Sequence, residues 1–514
     1  MDNEEESQNL NELAGTELAD ANVVESGTRM LRSLTKFKTD KDFRIKIIRT
    51  LLLFWTFFGL GWMTGQIGPS FPDLQLVVQE TLDTASWLFT IYSFGYMTGS
   101  LGGGLLFDHF SKPLVIALAT LILAVTTVSL PWCRWFTLML VVRFVSGLGA
   151  GALDTGANAY VMSFWGEKAG PYMQGLHFCF SMGGIVSPLA TEPFLAERSC
   201  HYLNLTESKV NQSDANLTLT EYVSNNATGN KCQTTEFAET YIYLAYIISS
   251  VVIITSSIPF FVIYVREILK TFQTPTQEVT SEQPDEKEVA EQRIQIIMSK
   301  RARILILFLI CLFMMVYCAV EDTFSSFLAT FCIRYFGWTK ATSSYATSVF
   351  WMAFAVGRFL AIFIVKMFKP VNLLLSYSSF LILAFVGVLI ACLTSITIIL
   401  WVSICIAGFS MSLIFPSVYS WTEESILQVT GKISSFFVIA GSIGLIINPV
   451  VLGYLMEKMT PLWFVYLLLG KSCFSLILLF AVLTLVNFFK QKEDSKTVDA
   501  DDGTEMVPLQ KMQQ

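Results

Sequence analysis

Apolar residues fall along this chain in blocks of roughly 20, each long enough to cross a bilayer as a helix, with polar residues gathered in the intervals between them. Such blocks lie near 48–68, 85–107, 113–132, 136–160, 172–196, 241–265, 303–328, 342–365, 371–393, 396–420, 433–456 and 463–488. A membrane barrel would show short alternating segments instead. The pattern therefore predicts an all-α integral membrane protein with twelve transmembrane helices. It divides the chain into a solvated tail (1–47), a six-helix half (48–265), a Glu-, Gln- and Pro-rich linker (266–302), a second six-helix half (303–488) and a closing tail (489–514). Composition agrees: 53% of the 514 residues are hydrophobic and mean hydropathy is +0.55, well above a soluble protein of this size.

Charge fixes the expected orientation. Arg29, Arg32, Lys36, Lys38, Lys41, Arg44, Lys46 and Arg49 crowd the approach to the first block, and Arg266, Lys270, Lys300, Arg301, Arg303, Lys490 and Lys492 flank the sixth, seventh and twelfth. By the positive-inside rule both termini are cytoplasmic. The net charge of −7 comes mostly from acidic tails, and nothing points to nucleic acid. The long hydrophilic loop at 198–240 then lies outside. It carries four acceptor sequons, at Asn204, Asn211, Asn216 and Asn226, bracketed by Cys200 and Cys232. This predicts glycans and a Cys200–Cys232 disulfide, in a protein of the plasma membrane.

Polar residues inside the blocks carry the chemistry, because a charge in lipid is costly and marks function. In RFVSGLGAGALDTGAN, residues Arg143, Gly147, Gly151, Asp154 and Asn158 fall within an arc of about 80° at about 100° per residue. Gln174, His177 and Ser181 share a face of the next block, so two polar faces are expected to meet across a cavity. His177 reads either as a satisfied core histidine or as a ligand. In the first block Trp62 and Gln66 are either packing groups or ligands for a sugar-sized solute. In the seventh, Tyr317, Glu321 and Ser325 share a face with Asp322 beside it, either in the interior or at a solvated mouth. Arg358 in the eighth suits pairing with a carboxylate or binding of substrate. Pro416 and Pro449, the latter behind Asn448, predict broken helices. Phe178, Trp351 and Trp421 offer aromatic faces.

The run GSLGGGLLFDHFSKP, with Gly104, Asp108 and Lys112, resembles the G-x-x-x-D-x-x-G-R/K loop of the major facilitator superfamily, except that Ser111 replaces the second glycine. A fainter echo, VGRFLAIFIVKMFKP, lies half a chain later and lacks the acid. The resemblance implies two six-helix halves, alternating access and a gate of Gly104, Asp108, Lys112, Arg143 and Arg358. More closely, GALDTGANAYVMSFWGEKAGPYMQGLHFCF is similar to the sodium-dependent glucose transporter branch, and Asp154, Asn158, Gln174 and His177 match that pattern residue by residue. One departure is Leu445, where the branch leads us to expect a glutamate. The resemblance implies sodium-coupled uptake of glucose or a similar hexose. Asp154, Glu321 and Asp322 would serve the cation, while Asn158, Gln174, His177, Trp62, Gln66, Tyr317, Glu321 and Asn448 would serve the sugar.

The chain holds no G-x-x-x-x-G-K-S/T loop, no Cys and His at metal spacing and no supported Ser/His/Asp set. It therefore reads as a transporter and not an enzyme, a monomer without cofactors whose partners are a sugar, a sodium ion and the bilayer. Two alternatives stand: coupling to protons at Asp154 or His177, and a solute sensor that binds without transport. The glycosylated loop is tested directly. Glycosidase treatment of the mature protein is expected to lower its mass, and an unglycosylated protein would overturn the assigned orientation.

Overall fold

A computed structural model describes residues 38–166, 169–196, 198–200, 235–237, 240–273, 300–426 and 431–501. They contain twelve long helices. The first six are α1 (Lys41–Val78), α2 (Trp87–His109), α3 (Lys112–Ser129), α4 (Phe136–Trp165), α5 (Gly170–Thr191) and α6 (Ile242–Gln273). The second six are α7 (Lys300–Phe336), α8 (Lys340–Met367), α9 (Pro370–Thr394), α10 (Thr397–Ser425), α11 (Gly431–Lys458) and α12 (Trp463–Asp501). Two three-residue strands, β1 (Arg198–Cys200) and β2 (Thr235–Phe237), pair antiparallel with Cys200 opposite Thr235. The four sequons, Cys232 and the linker over 274–299 lie outside the described residues, as does most of the N-terminal tail.

Helix ends follow local chemistry. The Asp40 side chain accepts the Asp42 and Phe43 N–H groups at 3.0 and 3.1 Å and starts α1, seven residues before the apolar block, as an N-cap should. After α2, Phe110 and Ser111 are extended and Pro113 sits in the first turn of α3. After α8, Phe368 and Lys369 are extended and Pro370 opens α9. Proline suits the first turn of a helix, where its missing N–H costs nothing, so the faint sequence echo marks the same turn in both halves. One expectation fails. Helices α10 and α11 run unbroken through Pro416 and Pro449, because neighbouring groups can satisfy the backbone a proline frees within a bundle.

Nine of the twelve helices are long and apolar enough to cross a membrane on their own composition. The other three are α2, α5 and α8, and each packs on helices of both halves. Glycine sets a very close contact between α2 and α4. A Cβ on Gly95 or Gly99 would stand 2.3 or 2.1 Å from the carbonyl oxygens of Phe144 and Leu148, and one on Gly147 or Gly151 would stand 2.2 or 2.0 Å from those of Tyr92 and Tyr96. Small residues permit such backbone approach where lipid offers no hydrophobic drive between helices.

The halves meet where α2 and the helical turn Leu82–Ala85 lie on α11, where α5 lies on α8, and where α1 touches α7 and α8. Buried apolar residues form two clusters. One runs through the second half and crosses into the first at the end of the bundle away from the termini, through Phe71, Phe89 and Phe327; the other, around Phe57, Leu153 and Phe260, stays within the first half. That far end is also tied by polar contacts. Asp73, wholly buried, accepts the Ala196 N–H at 2.8 Å, the Thr240 hydroxyl and the Lys340 ammonium. Lys458 reaches Asp83 at 3.5 Å, and the Ser86 hydroxyl leaves no room for a Cβ on Gly453.

A double-mutant cycle on Asp73→Asn and Lys340→Gln is expected to give a coupling energy of about 1–3 kcal/mol, read from unfolding of the detergent-solubilised protein. Additive effects would remove the pair from the far-end closure.

Candidate functional site

Asp154 lies past the middle of α4. Its Oδ2 accepts the Tyr96 hydroxyl of α2, and its Oδ1 accepts Asn158 Nδ2 at 3.0 Å. Both donors are neutral. Asn158 Nδ2 also reaches the Asp154 carbonyl at 2.9 Å, whereas Asn158 Oδ1 is buried and has no hydrogen-bond partner. The glycine contacts of α4 bring Tyr96 this close, so the residues that permit packing also place the phenol. Tyr92 stands one turn away with its ring 6.5 Å from that of Tyr96, and the Arg143 guanidinium lies 4.2 Å above the Tyr92 ring, a cation–π contact.

Across the seam, α7 presents Glu321 and Asp322, both half-buried. The acids are compensated separately: Glu321 interacts electrostatically with Arg358 of α8, and Asp322 with Arg143 of α4. Arg358 also lies over the Phe354 ring at 4.9 Å and within electrostatic reach of His177. His177 packs edge-on against Phe57 at 5.7 Å. Two turns further along the same pair of helices, Trp351 packs on Phe180 at 5.8 Å and directly over Gly184, where a Cβ would meet the indole at 2.7 Å. Its indole N–H is buried without an acceptor.

The two polar faces expected to meet do not. The stripe on α4 packs against α2, whereas that on α5 faces α1 and α8. The chain-adjacent pair α4 and α5 barely touches because the tight glycine seam with α2 claims the stripe. Four expected ligands also use their polar groups within their own half. The Trp62 indole donates to Ser249 at 2.7 Å and Gln66 Nε2 to Thr191 at 3.1 Å, tying α1 to α6 and α5. The Tyr317 hydroxyl donates to the Met411 carbonyl at 2.6 Å. Asn448 donates to Thr323 and accepts from the Lys471 ammonium, joining α7, α11 and α12. Gln174 is half-buried on the His177 face, and Phe178 approaches Phe359 at 6.3 Å. Trp421 is buried. Leu445 is half-buried on α11, beside the close approach of Gly444 to the Met315 carbonyl. Gly104 and Lys112 sit at the α2–α3 turn, and the Asp108 side chain lies outside the described residues.

Sequence reading missed Tyr92, Tyr96, Asp73 and Lys471. The tyrosines had a signal, a spacing of four within TIYSFGYMTGS, which puts both on one helix face. Lys471 in LLLGKSC is an intramembrane charge that hydropathy alone should have flagged. Asp73 had none, since it follows Pro72 in a stretch that reads as a loop.

The sequence profile of the Major Facilitator Superfamily matches residues 51–200 and 234–449. The chain belongs to this superfamily. Within it the chain falls in the sodium-dependent glucose transporter 1 branch. It is 30% identical to sodium-dependent glucose transporter 1 of Danio rerio over 467 residues, covering 88% of this chain and 73% of that protein. The Homo sapiens protein of that name is also 30% identical, over 461 residues, with 86% and 81% covered. Among solved structures, the nucleoside transporter NupG superposes with a TM-score of 0.55, covering 86% of this chain and 98% of that one at 14% identity, a likeness of fold. The protein is thus a membrane transporter of the major facilitator fold.

The glycine seam makes a testable claim about the site. Gly151→Ala drives a methyl to 2.0 Å from the Tyr96 carbonyl; since backbone cannot yield cheaply, the variant is expected to lose about 1–3 kcal/mol, seen as a lower Tm in detergent. An unchanged Tm would show that the two helices are not pressed together.

Proposed function

We propose that this protein is a secondary active transporter that takes up glucose or a related hexose together with one sodium ion, at the plasma membrane. The carrying observation is the charge inventory of the interior site. Glu321 and Asp322 each have an arginine within electrostatic reach, whereas Asp154 is held only by a phenol and an amide. One monovalent cation balances it. The carboxylate keeps lone pairs free, Asn158 Oδ1 has no other partner, and the Tyr96 oxygen can still accept, so an oxygen-lined cation site forms without rearranging a helix. An uncharged solute suits the rest, because two balanced acid–arginine pairs leave nothing for a charged substrate to neutralise. Hydroxyls can pair with Arg143, Asp322, Gln174, His177 and Glu321, while Phe178 and Trp351 supply apolar faces.

The names of the relatives in this branch support sodium and glucose as the pair. Glu321 and Asp322 move, in this reading, from the cation to the solute side, and Leu445 takes no part. The termini are cytoplasmic, the far end of the bundle is extracellular, and the arrangement with Asp73 bound to Lys340 is closed to the outside. The six-helix units 48–265 and 303–488 rock against each other to expose the site alternately, with α5 rolling on α8 at Gly184 and Trp351.

The test is uptake of labelled glucose into proteoliposomes under a sodium gradient. Sodium-driven accumulation is expected, and Asp154→Asn should abolish the sodium dependence while the folded protein survives. Uptake indifferent to sodium, or coupling intact in Asp154→Asn, defeats the coupling. Accumulation that follows a pH gradient alone would transfer the same site to protons, and saturable binding without uptake would make the protein a sensor.

A further inference from the structure

A small cavity lies on the seam between the halves, lined by Met63, Thr64 and Ile67 of α1, Phe89, Tyr92 and Ser93 of α2, Arg143 of α4 and Asp322 and Ser326 of α7. Its polar equipment is unusual for the interior of a bundle. The Asp322 carbonyl accepts the Ser325 hydroxyl at 2.9 Å, but its carboxylate has no hydrogen bond and no ion pair within 4 Å among the described residues, and the Arg143 side chain, 4% exposed, makes a single hydrogen bond, from Nε to the Leu88 carbonyl at 3.4 Å. The two charges face each other across the cavity and attract without touching. Buried charges are normally paired directly, because desolvating them otherwise costs more than their attraction returns. A gap between them, lined by α1, α2, α4 and α7, is a place for something that bridges.

We propose that this cavity receives the ring-borne hydroxymethyl group of the transported solute. A cation is disfavoured by the Arg143 guanidinium on the wall, and an anion by Asp322. A hydroxyl satisfies both, since it donates its proton to the carboxylate and accepts from the guanidinium. The remaining wall, Met63, Ile67 and Phe89, is apolar and suits a methylene. The cavity is water-sized, enough for a single CH2OH and too small for a whole ring, which would have to remain outside it. This assignment rests on the transport reading above and adds the part of the substrate that is read by the arginine–carboxylate pair. The Tyr92 and Tyr96 rings join this pocket to Asp154, so occupancy of one is felt by the other through a single phenol pair.

The experiment compares solutes differing only at that group, by uptake and by thermal shift of the purified full-length protein: glucose against 6-deoxyglucose, and uridine against 5′-deoxyuridine. For whichever parent solute the protein takes, removing the hydroxyl is expected to weaken apparent affinity about 10- to 100-fold, since it leaves a buried donor and acceptor unmet. Asp322→Asn should bring that ratio close to one while still binding the deoxy compound, which also reports that the variant is folded. Equal affinity for parent and deoxy solute in the wild type, or an undiminished ratio in Asp322→Asn, overturns the assignment. Absence of glucose uptake with discrimination retained in the nucleoside pair would defeat the hexose reading and leave the pocket standing; no discrimination in either pair defeats the pocket.

Discussion

Hydrocarbon does not tolerate an unanswered charge, and most of the interior of this protein follows from how each charge is answered. A carboxylate or guanidinium in mid-bilayer costs at least about 2.5–3.5 kcal/mol. Glu321 and Arg358 answer each other across α7 and α8; Asp322 and Arg143 do so across the two halves. Asp73 and Lys340 form a third pair at the far end, reinforced by donors from Ala196 and Thr240. Asp154 alone among these acids is answered by neutral groups. An interior in which every other one of these acids has a basic partner leaves Asp154 as the carboxylate on which the proposed cation would act.

Two of those pairs join different halves, and that makes them conditional. The Asp73–Lys340 pair needs α1 and α8 together at the far end, and Asp322 faces Arg143 where α7 approaches α1, α2 and α4. By contrast Arg49, bonded to Tyr160 at 3.0 Å and to Glu267 at 2.6 Å, ties α1, α4 and α6 inside one half. So does Asn448, between Thr323 and Lys471 in the other. Bonds within a half make each half rigid, while charges between halves are few and separable. This division of labour is what a rigid-body exchange between two conformations requires.

The fold was legible because membrane burial writes itself into composition. Twelve apolar blocks became twelve helices, and even the three that fail a hydropathy test were placed by their length and by the breaks around them. The stripe on α4 was legible too, since Asp154 and Asn158 are too expensive in lipid to be incidental. What could not be read was partnership. Periodicity says that Trp62, Gln66, Tyr317 and Asn448 share interior faces, yet not that Ser249, Thr191, Met411 and Lys471 wait opposite them. Nor could it show that the α4 stripe turns to α2 and not to α5. Helix order along the chain is a poor guide to packing when glycines let distant helices approach more closely than neighbours do.

Under the proposed function, that choice of neighbour offers a route by which a cation and a solute depend on each other. Tyr96 donates to Asp154, and its ring lies beside that of Tyr92, which carries the Arg143 guanidinium on its face. A cation drawn to Asp154 competes with the Tyr96 proton for the same oxygen, so in the proposed cycle the phenol must turn. A turn would be felt by Tyr92, whose ring lies 6.5 Å from that of Tyr96 on the helix that Gly147 and Gly151 bring against α4. In that proposed cycle the Arg143–Asp322 gap would respond to occupancy of Asp154. The proposed coupling would run through two neighbouring, tilted rings between an unbalanced carboxylate and a pair of charges that have been kept apart.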